Sequence, residues 1–175
     1  YSRIMLNPLS EEESAALAKA LLDVQELPDA LRSPVLDRAE GNPLYVEEII
    51  HWLIEIGAVA RSATGYVVAQ EPSDLSVPDT IQDVIMARID RLEQDLKRTM
   101  QIASVIGRDF LFRLLRKIAD MGDALQGYLM KLQGLEFIYE KSLFPELEYM
   151  FKHILIQDVA YHSLLTQTRR QFHER

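Results

Sequence analysis

The feature that most constrains this chain is a Gly-x-Pro turn, Gly41-Asn42-Pro43, between two stretches of helical periodicity. Gly41 can end the first helix in a left-handed conformation. Pro43 suits the first turn of the next helix, where the N–H that proline lacks has no partner. The turn therefore predicts a helix–helix corner that presents a fixed apolar ring and a helix N-terminus with free amide donors. On spacing alone, a structural corner explains it better than a binding site.

Helical periodicity precedes this turn. Ser10 followed by Glu13 forms a capping box, which predicts the start of one helix. Pro28 and Asp29 restart the chain, and a second helix is predicted from about residue 30 to residue 40. Pro34 falls close enough to the start of this helix to be tolerated there. The first forty residues therefore predict a helical pair leading into the turn.

The helix that begins at Pro43 is predicted to end at Gly57, since glycine is the usual helix stop. Short apolar runs at 59–61 and 66–68 flank a turn and predict a small β-hairpin. Proline and serine then accumulate towards Pro78, which is typical of a linker.

In the rest of the chain, the spacing of the apolar residues changes from helical to strand-like and then returns to helical. Apolar stripes predict four helices, with Phe110 and Leu111 at the start of the third. Residues 137–140 and 147–151 read as two strands, and helical periodicity returns over 154–165. Several helices followed by a β-hairpin is the pattern of a winged helix.

Composition excludes some classes of function. The chain has no cysteine, so disulfides and thiolate metal sites are excluded, and no apolar run reaches the length of a membrane span. The net charge of −8 is uneven, because residues 1–78 carry 13 acidic and 5 basic side chains while residues 79–175 carry 14 of each. Neither half has the basic field of a nucleic-acid binder. We therefore expect no membrane partner and no nucleic acid.

The motifs of a nucleotide-hydrolysing enzyme are missing from the sequence. There is no Gly-x-x-x-x-Gly-Lys-Ser/Thr loop to hold a triphosphate and its magnesium ion. Glu47 and Glu48 fit a solvated helix start, which the helix dipole favours, as well as they fit a catalytic role. The four histidines lack metal-ligand spacing. We expect no catalytic residue and no metal site in this segment, which is therefore not itself an enzyme.

Several motifs together resemble the signal-transduction ATPases with numerous domains (STAND), a branch of the AAA+ superfamily. They are Gly41-Asn42-Pro43-Leu44-Tyr45-Val46-Glu47-Glu48, Val77-Pro78-Asp79-Thr80-Ile81, Ala87-Arg88-Ile89-Asp90-Arg91-Leu92, Ala103-Ser104-Val105-Ile106-Gly107-Arg108-Asp109-Phe110 and the run from Phe151 to Tyr161. The chain is most similar to the ATPase modules of large bacterial regulators, often joined to nucleotide cyclases or helical repeats. The resemblance falls after the nucleotide-hydrolysing core, so we expect a fragment of a longer protein.

The resemblance implies a nucleotide-binding role for two places. In the family, the proline of the Gly-x-Pro turn packs on the adenine ring, which implies that Pro43 contacts the base while Gly41 and Asn42 shape the approach. A Met-His-Asp motif in plant resistance and apoptotic members contacts the β-phosphate of ADP. Aligned without gaps, His153 matches its histidine, Lys152 replaces Met and Ile154 replaces Asp. A structural histidine that caps backbone donors is the alternative for His153.

These observations predict a mainly α fold with four parts. A helical lid subdomain with a small hairpin spans 1–69, a linker spans 70–77, a winged-helix domain spans 78–152, and a helix at 153–175 leads to an effector region. The resemblance implies that the lid closes over ADP or ATP with magnesium, bound by an upstream P-loop domain of the same chain. It further implies a cytoplasmic regulator whose isolated segment holds no cofactor and whose parent is an ATPase, in some relatives linked to a cyclase.

Two alternatives remain open. A DNA-binding winged helix would use the basic side chains that follow Gly107 to line a recognition helix and contact phosphates. These side chains are Arg108, Arg113, Arg116 and Lys117. A solvated helix face explains the same residues, because Asp109 and Asp120 dilute the charge. The second alternative is a constitutive protein–protein scaffold.

Overall fold

The computed structural model describes residues 5–63, 65–70 and 77–174. Within these ranges the chain is mainly helical and carries two small antiparallel sheets. The chain divides into two compact units, Tyr1–Val84 and Ile85–Arg175. Of the predicted linker at 70–77, residues 71–76 lie outside the described residues.

The first unit consists of helices followed by a hairpin. Its described elements are α1 (Glu11–Leu22), α2 (Asp29–Arg32), a π-helical turn (Ser33–Asp37), α3 (Pro43–Glu55), β1 (Val59–Ser62), β2 (Gly65–Val68) and the start of α4 (Ile81–Asp90). The predicted capping box is confirmed, because Ser10 Oγ accepts from Glu13 N at 3.2 Å and Glu13 Oε2 accepts from Ser10 N at 2.8 Å. α1 packs against α3, and the buried apolar faces of both helices form the core of this unit.

Pro34 gives the second helical segment its unusual geometry. Proline has no N–H to donate, and its ring crowds the carbonyl group four residues earlier. α2 accordingly widens into the π-helical turn at Ser33–Asp37, which contains Pro34, before one more short helical stretch at 38–39. The predicted helix at 30–40 is present, but a widened turn accommodates the proline instead of an ordinary first turn.

Gly57 ends α3 as predicted. Its φ of +79° is left-handed, its N–H donates to Ile54 O at 3.0 Å, and the N–H of Ala58 donates to Leu53 O at 3.0 Å. This pair of bonds satisfies the last carbonyl groups of the helix. The chain then enters β1, which pairs antiparallel with β2, so the predicted hairpin is confirmed.

The second unit contains five more helices besides the end of α4, together with a three-stranded sheet. Its elements are α5 (Gln94–Ile106), β3 (Asp109–Leu111), α6 (Phe112–Ala119), α7 (Ala124–Gly134), β4 (Ile138–Ser142), β5 (Glu148–Phe151), α8 (Ile154–His162) and α9 (Thr166–His173). The strand order is β3-β5-β4, and both neighbouring pairs are antiparallel. α5 packs against α6, α7, α8 and α9, so it lies at the centre of the helical layer.

The prediction that Phe110 and Leu111 begin a helix is wrong, since both belong to β3. Phe110 pairs with Tyr149 of β5, and their rings stack with centroids 5.9 Å apart. The Phe110 ring also lies 5.6 Å from the Phe151 ring. Three aromatic side chains therefore fill the space under the sheet. Their burial favours the strand over the helical periodicity of the segment.

A buried arginine joins the start of the second unit to its centre. Arg88 of α4 is 1% exposed, and its guanidinium group donates to Leu135 O at 2.8 Å, just beyond the end of α7. The same group lies 4.4 Å from the centroid of the Phe137 ring. Hydrogen bonding and the aromatic face compensate for the lost hydration of the buried cation.

Candidate functional site

The turn at residues 41–43 is held by a close backbone contact with the segment before α1. The N–H of Leu9 donates to Gly41 O at 2.8 Å. Gly41 is buried with φ +75°, and a Cβ at this position would overlap the carbonyl oxygen of Leu9. Glu40 is also left-handed, with φ +47°. Glycine is therefore required at position 41 for two reasons, backbone conformation and space.

Asn42 corrects the expectation that α3 begins with free amide donors. Its Oδ1 accepts from Leu44 N at 3.1 Å and from Tyr45 N at 3.3 Å, while its carbonyl accepts from Val46 N at 3.1 Å. Pro43 has no N–H. The first four positions of α3 are therefore already satisfied or lack a donor. An anion could bind this helix start only by displacing the Asn42 side chain.

Pro43 presents an apolar ring at the exposed part of the turn. Asn42 and Pro43 are exposed, whereas Gly41 and Tyr45 are buried. The proline is thus presented from a backbone that is fixed on both sides. A planar apolar group could pack on this ring.

A small acidic cavity lies next to the turn. It has a volume of about 280 Å³, and its lining includes Gly41 together with the carboxyl side chains of Glu11, Asp37 and Glu40. These charges disfavour a phosphate group on this side of the turn. The neighbourhood of Gly41 is therefore more suitable for the uncharged end of a ligand than for its anionic end.

Glu48 also differs from its predicted environment. It is 1% exposed and lies on the buried face of α3, next to the apolar side chains of Ile49 and Ile50. Glu47 is half-buried. The expectation of a solvated acidic pair at the helix start is wrong for Glu48, because residue 48 falls on the stripe of α3 that faces the core.

Two side chains around the turn reach the segment at residues 77–80, just before α4. The hydroxyl group of Tyr45 donates to Pro78 O at 3.0 Å, and Arg38 forms an ion pair with Asp79. Burial raises the pKa of the Tyr45 hydroxyl, and the charge of Arg38 partly offsets that increase. Sequence reasoning missed these contacts, because no periodicity links residues more than thirty positions apart.

His153 lies at the junction between β5 and α8, in the second unit. It is the N-cap of α8, and its Nδ1 accepts from Leu155 N at 3.1 Å. An accepting Nδ1 carries no proton, so the neutral ring carries its hydrogen on Nε2. The capping role considered from the sequence is therefore present at Nδ1. Gly41, Asn42 and Pro43 share one turn of the first unit, whereas His153 belongs to the second unit.

The basic cluster after Gly107 lies on α6 and next to β3, not on the helix before the β4–β5 hairpin. Arg113 forms an ion pair with Glu146 at 3.3 Å, and Arg116 lies 4.0 Å from Asp123. The helix before the hairpin is α7, whose single basic residue, Lys131, pairs with Glu93 at 3.1 Å. The helix that directly precedes the hairpin therefore carries none of the cluster, and a DNA-contacting role for these residues stays a prediction.

Two further properties bear on possible ligands. Across residues 5–63, 65–70 and 77–174, no group of three or more His, Asp or Glu side chains could hold a metal ion. In the same part of the chain, no helix combines the length and apolar character needed to span a bilayer.

Comparison with known proteins identifies two similarities. Residues 10–61, from the N-cap of α1 into β1, match the family model of a domain of unknown function, DUF8739. The 41–43 turn lies inside this match. Over 180 positions the chain is 27% identical to the uncharacterized protein R02095 of Rhizobium meliloti (strain 1021), and the alignment covers 99% of this chain. The chain spans 17% of the length of that curated relative.

Proposed function

We propose that this chain is the regulatory lid and winged-helix part of a STAND-type signalling ATPase. The lid would close over ADP or ATP held by a P-loop core in the longer parent chain and relay the nucleotide state to an output domain. The observation that carries the proposal is the order of elements in the second unit, with His153 between the last strand and α8.

The element order supports a winged helix in the second unit. α5, β3, α6, α7, β4 and β5 follow one another, and β5 pairs with both β3 and β4. In a winged helix, a helix and a short strand precede a helix pair and a two-stranded wing, and the last strand lies in the middle. β4 and β5 would then be the wing, with Leu143 and Phe144 at its tip.

The chemistry of the two candidate positions suits different groups of a nucleotide. Pro43 offers an exposed apolar ring beside an acidic cavity, which suits a base better than a phosphate. His153 lies at the N-terminus of α8, and a helix N-terminus suits a phosphate oxygen. This division of roles agrees with the one implied by the resemblance.

The length of the Rhizobium meliloti relative supports a role inside a larger protein. The alignment with the Rhizobium meliloti protein occupies 17% of that protein, so the relative has room for a nucleotide-binding core and an output domain. The first unit carries the acidic excess of the chain, and its sequence contains no Gly-x-x-x-x-Gly-Lys-Ser/Thr loop. Both observations favour a lid that acts together with other domains.

The features of the proposed wing favour protein contact over DNA contact. α7 would be the recognition helix, yet its single basic side chain is already paired. Leu143 and Phe144, at the tip between β4 and β5, are 72% and 87% exposed. Apolar side chains at the tip suit a protein surface, whereas phosphate contacts need basic ones.

The proposal is tested on the full-length parent. We expect it to bind ADP and ATP, and we expect Pro43→Ala to weaken ADP binding about tenfold, equivalent to ~1.4 kcal/mol. Pro28→Ala, at the start of α2, is the matched control and should leave the affinity unchanged. A parent that binds neither nucleotide in calorimetry would rule out the proposal. A salt-dependent complex of the parent with duplex DNA, lost in Arg113→Ala/Arg116→Ala, would support the DNA-binding alternative instead.

A further inference from the structure

Two contacts fasten residues 77–80 to the helices on either side of the 41–43 turn. Tyr45 Oη donates to Pro78 O at 3.0 Å, and Arg38 pairs with Asp79. We propose that Tyr45 and Arg38 are positioning residues that form a latch, through which a ligand at the 41–43 turn controls the order of the first turn of α4. This inference rests on the proposed function for the identity of the ligand, but the latch itself can be tested without it.

The position of the latch residues links them to the turn. Arg38 lies three residues before Gly41, and Tyr45 lies two residues after Pro43. Hydrogen bonds link Tyr45 through Asn42 to Ala39, the neighbour of Arg38, because Asn42 N donates to Ala39 O at 2.8 Å and Tyr45 N donates to Asn42 Oδ1 at 3.3 Å. A ligand that displaces the Asn42 side chain would therefore move the backbone that carries Tyr45.

The two contacts of the latch differ in strength. The Tyr45 side chain is buried, with 7% of the residue exposed, and its hydrogen bond is little weakened by solvent. The ion pair between Arg38 and Asp79 lies at the surface, where the two side chains are 40% and 87% exposed. Water and salt weaken such a pair. The Tyr45 hydrogen bond is therefore the stronger contact of the latch, and the Arg38–Asp79 ion pair is the weaker one.

The fastened segment leads directly into the start of α4. Val77 is buried, at 5% exposed, and Thr80 caps the helix by accepting from Asp83 N at 3.1 Å. The carbonyl of Thr80 accepts from Val84 N at 3.0 Å. The amides of Asp83 and Val84 therefore report whether the first turn of α4 is formed.

Hydrogen exchange at these two amides tests the latch in the 175-residue chain. Tyr45→Phe should accelerate exchange at Asp83 and Val84 about fivefold, the effect of losing a hydrogen bond worth ~1 kcal/mol. Tyr66→Phe makes the same chemical change in β2 and should leave both amides unchanged. An equal acceleration in α1 would mean that Tyr45 only stabilises the unit as a whole, and it would overturn the latch.

A second variant tests the coupling to the turn. In the 175-residue chain with Tyr45 intact, Asn42→Ala should accelerate exchange at Asp83 and Val84. In the Tyr45→Phe variant, Asn42→Ala should add no further acceleration. Additive effects in the double variant would show that the turn and the segment respond independently, and they would overturn the proposal.

The response of the latch to a ligand is tested in the full-length parent. Saturation with ADP should change the exchange of Asp83 and Val84 at least threefold, and Tyr45→Phe should abolish that change. If ADP binds and the two amides do not respond, the latch is wrong while the proposed function stands. If the parent binds no ADP, the proposed function is wrong, and the double-variant experiment alone decides whether the latch exists.

Discussion

Leu9 and Gly41 approach each other more closely than any residue other than glycine at position 41 would allow. The N–H of Leu9 donates to Gly41 O at 2.8 Å, and a Cβ on Gly41 would overlap Leu9 O. This contact fixes the 41–43 turn against the start of the first unit. It sets the conformation in which Pro43 is exposed.

Gly41→Ala should therefore destabilise the first unit more than Gly57→Ala does. Both glycines are left-handed, at +75° and +79°, but a Cβ at Gly57 has nothing within 4 Å. We expect Gly57→Ala to cost ~1 kcal/mol for conformation alone and Gly41→Ala to cost ~3 kcal/mol or more. Urea unfolding followed by the fluorescence of Trp52, the single tryptophan, measures the first unit directly. Equal losses would contradict the close approach.

Asn42→Ala should cost ~1 kcal/mol of free energy of unfolding, because two amides at the start of α3 lose the Oδ1 that accepts from them. Asn42→Asp keeps an acceptor at the same position and should retain most of the stability. Asn7→Ala, at an exposed position before α1, is the matched control. A loss of similar size at Asn7 would show that the cap is not the cause.

Two substitutions distinguish a capping role of His153 from a ligand-binding role. Asn at position 153 keeps an acceptor near the place of Nδ1 and removes Nε2, whereas Ala removes both. In the 175-residue chain we expect His153→Asn to unfold like the unsubstituted chain and His153→Ala to lose ~1 kcal/mol. In the parent, both should weaken ADP binding if Nε2 contacts phosphate. Unchanged ADP affinity in His153→Asn would leave His153 a structural cap.

Arg88→Met should destabilise the second unit by ~2–3 kcal/mol, because Leu135 O would be left buried without its donor. Met has a similar volume, so the change tests the guanidinium group more than the packing. The exposed Arg98 supplies the control, and Arg98→Met should alter stability by less than ~0.5 kcal/mol. Far-UV circular dichroism in urea gives both values. If Arg88→Met left the free energy of unfolding unchanged, water or another donor would have to replace the guanidinium group.

The Tyr45–Pro78 hydrogen bond predicts a loss of stability at high pH. Burial raises the pKa of Tyr45 above its ordinary value of 10.0, so folding favours the protonated hydroxyl. Its contribution is fully present below pH 10 and is lost as the pH rises through the folded pKa. The free energy of unfolding is measured with Trp52 fluorescence from pH 8 to about 11.5. In Tyr45→Phe, it should fall less with rising pH than in the unsubstituted chain. Parallel curves for the two proteins would contradict the assignment.

Interactions between near neighbours were readable from the sequence. The capping box of Ser10 and Glu13, the helix stop at Gly57 and the hairpin after it depend on residues three to nine positions apart. The amide capping by Asn42 was readable too, since asparagine is among the preferred residues at a helix N-cap. The expectation of free donors overlooked that signal.

Contacts between distant residues could be decided only by the tertiary structure. β3 exists because Phe110 packs on Tyr149 and Phe151, about forty positions later, and this burial outweighs the helical pattern of the segment. The burial of Glu48 and the contact of Tyr45 with Pro78 likewise depend on which surfaces meet after folding. The sequence by itself determined the start of α1, the end of α3 and the 41–43 turn between helical segments, because backbone propensity and capping act within a few residues. Only the tertiary structure decided which face of each helix is buried and which side chains the turn controls, because those energies arise from packing between segments that are far apart in the chain.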